Sequence, residues 1–176
     1  VTYTNCETVD LYLNGAKIGT QRLADFPNWI MKWRNVRHEP GELRAVGCNN
    51  GQAVCEFSLR TAGPAARIKL VSDTKQVGSS GVACVEAHVV DAAGTIVPDA
   101  GHLLRFTVVG NGAVLALGSG NRASHRSFSD KKEREAQNGR CLCILRAGTA
   151  AGEMVLSVSS DGLCSDTVGI EVVQRG

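Results

Sequence analysis

Two Asn-Gly dipeptides, each set between runs in which apolar and polar residues alternate, constrain the fold of this chain more than any other feature. In TVDLYLNGAKIG, the apolar residues Val9, Leu11 and Leu13 share one face, and Asn14-Gly15 follows them. Asn50-Gly51 separates two similar runs within LRAVGCNNGQAVCEFSL. Alternation with period two is typical of β-strands, and Asn-Gly favours the two positive φ angles of a type I′ turn. The first third of the chain is therefore predicted to consist of β-hairpins.

The same region contains two further predicted strands and ends at a predicted domain boundary. Residues 29–36 are predicted to form one strand, and a Pro40-Gly41 turn leads into another over 42–48. Residues 62–66, AGPAA, are small and include a proline, which cannot donate a hydrogen bond to a sheet. We therefore predict a small β-sandwich domain over 1–62 and a second domain over 65–176. The chain begins with VTYTN, which lacks Met and has the pattern of a strand already in progress, so we expect it to be a fragment. The lack of a targeting signal would then say nothing about the location of the parent protein.

The second region is predicted to be an immunoglobulin-like β-sandwich. Its seven predicted strands lie at 67–72, 83–91, 103–109, 113–117, 141–146, 154–160 and 167–173. Seven short strands in about 110 residues with no helical periodicity are typical of that fold. The fold class is thus all-β, with two tandem immunoglobulin-like β-sandwich domains. The polar segment 118–140 departs from the pattern and is predicted to be a solvated loop, with a loop that reaches a ligand or another domain as the alternative.

Charge and cysteine content exclude several classes of partner. Nineteen basic and seventeen acidic side chains leave a net charge of +2, so we expect neither nucleic acid nor a membrane surface as a partner. No apolar run approaches the length of a membrane span. The seven cysteines are an odd number without a CxxC pair, so at least one thiol is free and no metal is expected. We expect most of the cysteines to be small buried residues, and we expect no cofactor.

Motifs for catalysis are missing from the sequence. There is no GxSxG element, and the four histidines, at 38, 88, 102 and 125, have no recognisable nucleophile partner. The residues best suited to stack on a sugar ring are Trp29 and Tyr12, which make a candidate carbohydrate contact. Trp33, on the same face of the predicted strand as Trp29, is expected in the core. We therefore predict no catalytic and no metal-binding residue.

Three segments of the first region carry a family resemblance. The segments TNCETVDLYLNGAKIG, WRNVRHEPGELRAVGCNNGQAV and LRTAGPAARIKLVSD resemble the C-terminal region of bacterial family 2 glycoside hydrolases of the β-galactosidase type. The segments VEAHVVDAAGTIVPDAGHLLRFTVVGNGAVLALGSGN and ILRAGTAAGEMVLSVSSDGL resemble the immunoglobulin-like module that follows in that family. The resemblance covers nearly the whole chain. Cys6, Cys48, Cys141 and Cys143 depart from it, because they stand where small or aliphatic residues are expected.

The resemblance implies an accessory role. The catalytic glutamates of the family lie in an upstream (β/α)₈ barrel that no segment here matches, so no catalytic residue is carried over. The implied function is a non-catalytic pair of C-terminal modules that pack on the barrel, shape the rim of its active site or set subunit contacts. The implied partners are the catalytic barrel of the parent chain and β-galactoside glycans, and the implied location of the parent is the bacterial periplasm or exterior. The residues leave the oligomeric state open.

Two other functions remain as alternatives. A carbohydrate-binding module would need an exposed aromatic platform, for which Trp29 with Tyr12 is the candidate. An adhesin-like immunoglobulin array would repeat one strand plan in both domains, and no internal repeat is visible between the two regions.

Overall fold

The computed structural model describes residues 1–174 and divides the chain into two compact units, Val1–Thr61 and a second unit that begins at Ala62. The first unit contains six strands and one turn of 3-10 helix over Leu23–Asp25. The strands are β1 (Thr2–Tyr3), β2 (Thr8–Leu13), β3 (Ala16–Arg22), β4 (Ile30–Met31), β5 (Glu42–Asn49) and β6 (Gln52–Arg60). No helix in the described part of the chain is long and apolar enough to cross a membrane.

The predicted hairpins form the main sheet of the first unit. Four antiparallel strands lie in the order β3-β2-β5-β6, and β1 pairs with β4 in a separate two-stranded sheet. Asn14 and Gly15, which join β2 to β3, have φ angles of 49° and 82°. Asn50 and Gly51 join β5 to β6 with φ angles of 51° and 74°. Both Asn-Gly turns are therefore confirmed, with the positive φ angles that a type I′ turn requires.

The four-stranded sheet has one charged face and one apolar face. On the charged face, Lys17 lies 2.8 Å from the Asp10 carboxylate and lowers the pKa of that group, and Thr20 donates to it at 2.6 Å. The buried apolar side chains of the unit are Cys6, Val9, Leu11 and Met31. This alternation follows from the period of two in β2, where successive side chains point to opposite faces.

The predicted strand over 29–36 is wrong, because only Ile30–Met31 is extended and paired. Trp29 and Asn35 have positive φ angles of 61° and 59°, which are incompatible with a continuous strand. The two tryptophans therefore do not share one strand face. Trp33 is half-buried, and its indole N–H donates to the Thr2 hydroxyl at 2.9 Å.

The second unit contains nine strands in two layers. They are β7 (Arg67–Ser72), β8 (Gln76–Gly78), β9 (Val82–Val90), β10 (Leu103–Gly110), β11 (Gly112–Gly118), β12 (Glu133–Glu135), β13 (Arg140–Ala147), β14 (Gly152–Ser160) and β15 (Leu163–Val173). One layer has the order β11-β13-β9-β7, and the other the order β15-β14-β10-β12, with β8 parallel to β15. Strand β7 links the layers, because it pairs with β9 along its length and meets β15 at Cys164.

The core of the second unit lies between its two layers. Alternate residues of β9, β13 and β14 are fully buried, as in Val85, Leu145 and Leu156. The seven predicted strands are all present, with small shifts at their ends. The all-β fold built from β-sandwich sheets is thus confirmed, and 21 buried residues form one continuous core in this unit.

The segment 118–140 is only partly the solvated loop that its charges suggest, because most of residues 119–132 are exposed but the following residues form a strand. Glu133–Glu135 form strand β12, which pairs with β10 at the edge of a layer. Arg134, in the middle of β12, is only 2% exposed. Its guanidinium donates to the backbone carbonyl oxygens of Arg126 and Ser127 and lies over the ring of Phe128. The prediction is wrong only at this end of the segment, because a buried arginine inside a charged run gives the same sequence pattern as a solvated one.

Candidate functional site

Trp29 lies at an exposed pocket of the first unit. The Trp29 N–H donates to the Phe26 carbonyl at 3.2 Å and closes a turn over 26–29, in which Trp29 is 59% exposed. A cavity of about 550 Å³ opens beside it. Its lining residues are Glu7, Thr8, Arg22, Leu23, Ala24, Phe26, Pro27 and Trp29. An exposed indole beside a guanidinium and a hydroxyl could stack on a sugar ring and hydrogen-bond to it.

Tyr12 does not join Trp29 in this pocket. Tyr12 lies in β2, is half-buried, and is not among the residues that line the cavity beside Trp29. The Arg44 guanidinium covers one face of its ring at 4.8 Å from the centroid. The predicted carbohydrate contact therefore stays a prediction for Trp29 alone, since a ring face already covered by arginine is less available to a sugar.

A second cavity of the first unit is almost entirely apolar. It has a volume of about 360 Å³ and is lined by Val1, Thr2, Tyr3, Leu11, Trp33, Val36, Leu43, Ala45, Phe57 and Leu59. We call it the apolar groove. Leu11, Leu43 and Ala45 form its floor on the apolar face of the sheet, and Phe57 and Leu59 of β6 form one side.

Strand β6 leaves this side of the apolar groove open. Phe57 and Leu59 are 68% and 57% exposed, and all nine residues of β6 are exposed. Strand β6 is also an edge strand, because among the described strands it pairs with β5 alone. An uncovered edge with large apolar side chains is a docking or aggregation surface in most proteins, so this feature requires an explanation.

The acidic side chains that the sequence places beside turns make structural contacts. The Asp91 carboxylate accepts hydrogen bonds from the backbone N–H groups of Gly63 and Thr95, each at 2.8 Å. Asp161 forms a bidentate ion pair with Arg105, and the Asp166 carboxylate accepts a hydrogen bond from the Leu70 N–H at 2.7 Å. These contacts hold turns and strand ends in place, which is the usual role of Asp at such positions.

Two of the four histidines lie in defined surroundings of the second unit. His88 lies 2.7 Å from Glu86, which also approaches Arg140, and the hydrogen bond with His88 lowers the pKa of the Glu86 carboxyl. His102 is half-buried, and its Nδ1 has no partner. Within residues 1–174, no three side chains of His, Cys, Asp or Glu come together in a way that could hold a metal ion.

The cysteines are less buried than expected. All seven are free thiols, of which Cys6, Cys141 and Cys143 are buried, Cys48 and Cys84 are half-buried, and Cys55 and Cys164 are exposed. The expectation that most of them are buried is therefore wrong. Burial raises the pKa of Cys141 and of Cys143 to about 12, so these two thiols are poor nucleophiles at neutral pH.

Two of the thiols lie side by side, which the sequence did not reveal. The sulfur atoms of Cys6 and Cys55 are 3.6 Å apart, although the two residues are separated by 49 positions in the chain. Two registers bring them together: Gly47 of β5 lies opposite Cys55 of β6, and it lies opposite Val9 of β2, shortly after Cys6.

Each of the two units matches a known protein family model. The model of the glycoside hydrolase family 2 C-terminal domain 5 matches residues 68–169, and a domain of unknown function (DUF4982) matches residues 1–55. The β-galactosidase BoGH2A of Bacteroides ovatus is 34% identical over 163 residues, which are 92% of this chain and 19% of that protein. A β-glucuronidase of Formosa agariphila is 32% identical over 61% of this chain and 11% of its own length.

Solved structures show the same relationship. A glycosyl hydrolase family 2 member from Bacteroides cellulosilyticus matches 99% of this chain with 22% of its own, at 27% identity and a TM-score of 0.90. A β-glycosidase from Bacteroides vulgatus matches 97% of this chain with 22% of its own, at 25% identity and a TM-score of 0.89. This chain therefore spans about a fifth of the length of these relatives.

Proposed function

We propose that this chain, which belongs to the C-terminal region of glycoside hydrolase family 2, is a non-catalytic accessory part of a longer bacterial β-glycosidase. The catalytic barrel of that protein would lie upstream, in the four-fifths of the relatives that this chain does not span. The role of the two units is to support that barrel rather than to cleave the glycosidic bond.

The observation that carries the proposal is the open side of the apolar groove. Phe57 and Leu59 stand exposed on an edge strand, beside a cavity that no charged side chain within residues 1–174 lines. Sugars require several directed hydrogen bonds, whereas a protein surface can fill such a groove with apolar side chains. We therefore assign the groove to the upstream part of the same polypeptide, which is tethered to it and needs no separate association step.

The contacts of the acidic residues support the non-catalytic part of the proposal. Hydrolysis of a glycosidic bond needs two carboxyl groups that face the same sugar, and one of them must be able to donate a proton. The carboxylates of Asp10, Asp91 and Asp161 are each engaged by a cation or by backbone N–H groups, which favours the charged form and opposes proton donation.

The first test measures hydrolysis of aryl β-galactosides and aryl β-glucuronides, because relatives with both names are similar to this chain. The full-length protein, the protein truncated before Val1 and this chain alone are compared. We expect an active full-length protein, an inert 176-residue chain and a truncated protein of lower stability or activity. Activity of this chain alone would overturn the proposal.

A second test asks whether the apolar groove is covered in the full-length protein. Phe57→Lys places a charge on the open side of the groove, and Val109→Lys is the matched control, since Val109 is 59% exposed on β10 of the second unit. We expect Phe57→Lys to lower the melting temperature of the full-length protein while leaving this isolated chain unaffected. An equal effect of both substitutions in the full-length protein would show that the groove is not covered there.

A further inference from the structure

The Cys6 and Cys55 thiols occupy a site built for two sulfur atoms. Cys6 lies just before β2 and is 3% exposed, whereas Cys55 lies in the edge strand β6 and is exposed. Their sulfur atoms are 3.6 Å apart in the free thiol state. A disulfide bond is about 2.0 Å long, so the sulfurs need to approach by roughly 1.6 Å to form one.

Gly47 creates the space for this pair. It lies in β5, between the two cysteines, with Val9 of β2 opposite on one side and Cys55 of β6 opposite on the other. A Cβ atom at position 47 would lie 2.6 Å from the Cys6 sulfur and 2.8 Å from the Cys55 sulfur. Gly47 does not have a positive φ angle, so its backbone conformation does not require glycine. The requirement is the space that the two sulfurs fill.

Cys48, the other cysteine of the first unit, belongs to the opposite face. Successive residues of a strand point to opposite sides of the sheet, and Gly47 faces the two sulfurs. Cys48 therefore points toward the charged face, where it contributes to the electrostatic surroundings of Lys17. The remaining four cysteines lie in the second unit.

We propose that Cys6 and Cys55 form an intramolecular disulfide that closes the first unit. The oxidant is a disulfide RSSR, either of low molecular weight or in a thiol oxidoreductase. The exposed Cys55 thiolate attacks RSSR, forms a mixed disulfide and releases one RS⁻. The Cys6 thiolate then attacks the Cys55 sulfur and displaces the second RS⁻. Two thiols are oxidised to one disulfide, RSSR is reduced to two RSH, and the two thiol protons leave with the two RSH molecules.

The bridge would tie the start of the unit to its edge strand. Cys6 and Cys55 are 49 positions apart in sequence, most of a unit that spans Val1–Thr61, so closing this loop restricts the unfolded chain strongly. Small domains with few buried side chains commonly depend on such a covalent link. The Cys55 side chain is on the same strand as Phe57, so the bridge must form before any partner covers that strand.

The test uses the 176-residue chain, fully reduced and then incubated with oxidised glutathione at about pH 8.5, where thiolates are more abundant. We expect the count of free thiols to fall by two and the mass to fall by that of two hydrogen atoms. Digestion without reductant should yield a peptide that links Cys6 to Cys55. The melting temperature of the first unit should rise by about 5 °C or more.

Two serine variants complete the design. Cys55→Ser removes an exposed thiol with little risk to folding, and it should abolish both the link and the thermal shift. Cys164→Ser is the matched control, because Cys164 is an exposed thiol of the second unit, and it should preserve both. The proposal is overturned if the thiol count does not change, if glutathione remains attached to Cys55, or if the recovered link joins other cysteines or two chains.

Discussion

At the residue scale, Asp91 shows how one side chain fixes a turn. It is 6% exposed at the end of β9, and its carboxylate accepts hydrogen bonds from the Gly63 and Thr95 backbone. The hydrogen bond from Gly63, followed by that from Thr95, lowers the pKa of this carboxyl. Asp at the start of a turn such as DAAG commonly accepts hydrogen bonds from nearby backbone N–H groups, as Asp91 does here from Thr95. The contact with Gly63, 28 residues earlier, could not be predicted, because it depends on how β7 pairs with β9.

The lowered pKa of Asp91 gives a testable pH dependence. A carboxyl whose pKa is lower in the folded state stabilises the fold above its unfolded pKa, and that contribution is lost as the pH falls through the folded pKa. Asp91→Asn should therefore lower the melting temperature of the second unit by several degrees at pH 7. The difference from wild type should shrink as the pH falls below the ordinary Asp range of about 4. Circular dichroism melts from neutral to acidic pH measure it.

The control for this prediction is Asp161→Asn. Asp161 is paired with Arg105, but its side chain is 88% exposed, so solvent screens the pair and its loss should have a smaller effect. A difference between Asp91→Asn and wild type that grows toward acidic pH would contradict the assignment.

At the element scale, strand β12 depends on a buried guanidinium rather than on its own length. Three residues pair with β10, and Arg134 holds the preceding loop by donating to the Arg126 and Ser127 carbonyl oxygens. The Phe128 ring stacks against the same guanidinium. Arg126 adds ion pairs to Glu133 and Glu135, each at 3.1 Å, from the solvent side. The loop and the strand are therefore held together by the contacts of Arg134.

Arg134→Met tests this arrangement, because methionine has similar length and no hydrogen-bond donors. The two hydrogen bonds from the guanidinium to the Arg126 and Ser127 carbonyl groups would be lost, which should lower the free energy of unfolding by about 1–3 kcal/mol. Trypsin should cleave faster at Arg122, Arg126 and Lys131. Lys131→Gln, at an exposed position of the same loop, should leave stability unchanged. A more stable Arg134→Met variant would mean that burial of the charge costs more than its hydrogen bonds return.

The elements also show what the sequence could predict. Strands with clear alternation and a turn signal, such as β2, β3, β5 and β6, were predicted correctly, because their pattern is local. The strand predicted over 29–36 was wrong, because two positive φ angles at Trp29 and Asn35 interrupt an otherwise plausible run. Strands β8 and β12 were missed, because three residues are too few for a period and their pairing partners are distant in sequence.

The candidate site was predictable only in part, for a similar reason. The sequence left open whether Trp29 is exposed or part of the core, and the Arg44 side chain over Tyr12 depends on the β2–β5 register, which places these two residues opposite each other. The same dependence hid the Cys6–Cys55 pair and the open side of the apolar groove. Contacts set by register between strands lie beyond what alternation in one strand can reveal.

At the scale of the whole molecule, the two units differ greatly in their cores. Within residues 1–174, four buried apolar side chains belong to the first unit, namely Cys6, Val9, Leu11 and Met31, while 22 belong to the second. Buried apolar surface supplies most of the free energy that opposes chain entropy. The second unit therefore has the core of an independent domain, and the first unit is marginal by the same measure.

We predict that the chain, divided between Thr61 and Ala62, yields two fragments of unequal stability. The division follows the unit boundary and keeps Gly63 with its partner Asp91. In urea, fragment 62–176 should unfold cooperatively with a free energy within the usual range of about 5–15 kcal/mol. Reduced fragment 1–61 should have less than about 3 kcal/mol, because so few side chains are buried. Circular dichroism and tryptophan fluorescence report the transitions, and both tryptophans lie in the first fragment.

The same fragments distinguish the two interactions proposed to stabilise the first unit, the Cys6–Cys55 disulfide and the burial of Phe57 against the upstream protein. Oxidation should raise the stability of fragment 1–61 through the Cys6–Cys55 link, and it should leave fragment 62–176 unchanged, since those two cysteines lie outside it. Phe57→Lys should not destabilise fragment 1–61, because Phe57 is exposed in this unit and its burial is expected only against the upstream protein. If reduced fragment 1–61 proved as stable as fragment 62–176, neither the disulfide nor an upstream partner would be needed to hold the first unit together, and the argument from its small core would fail.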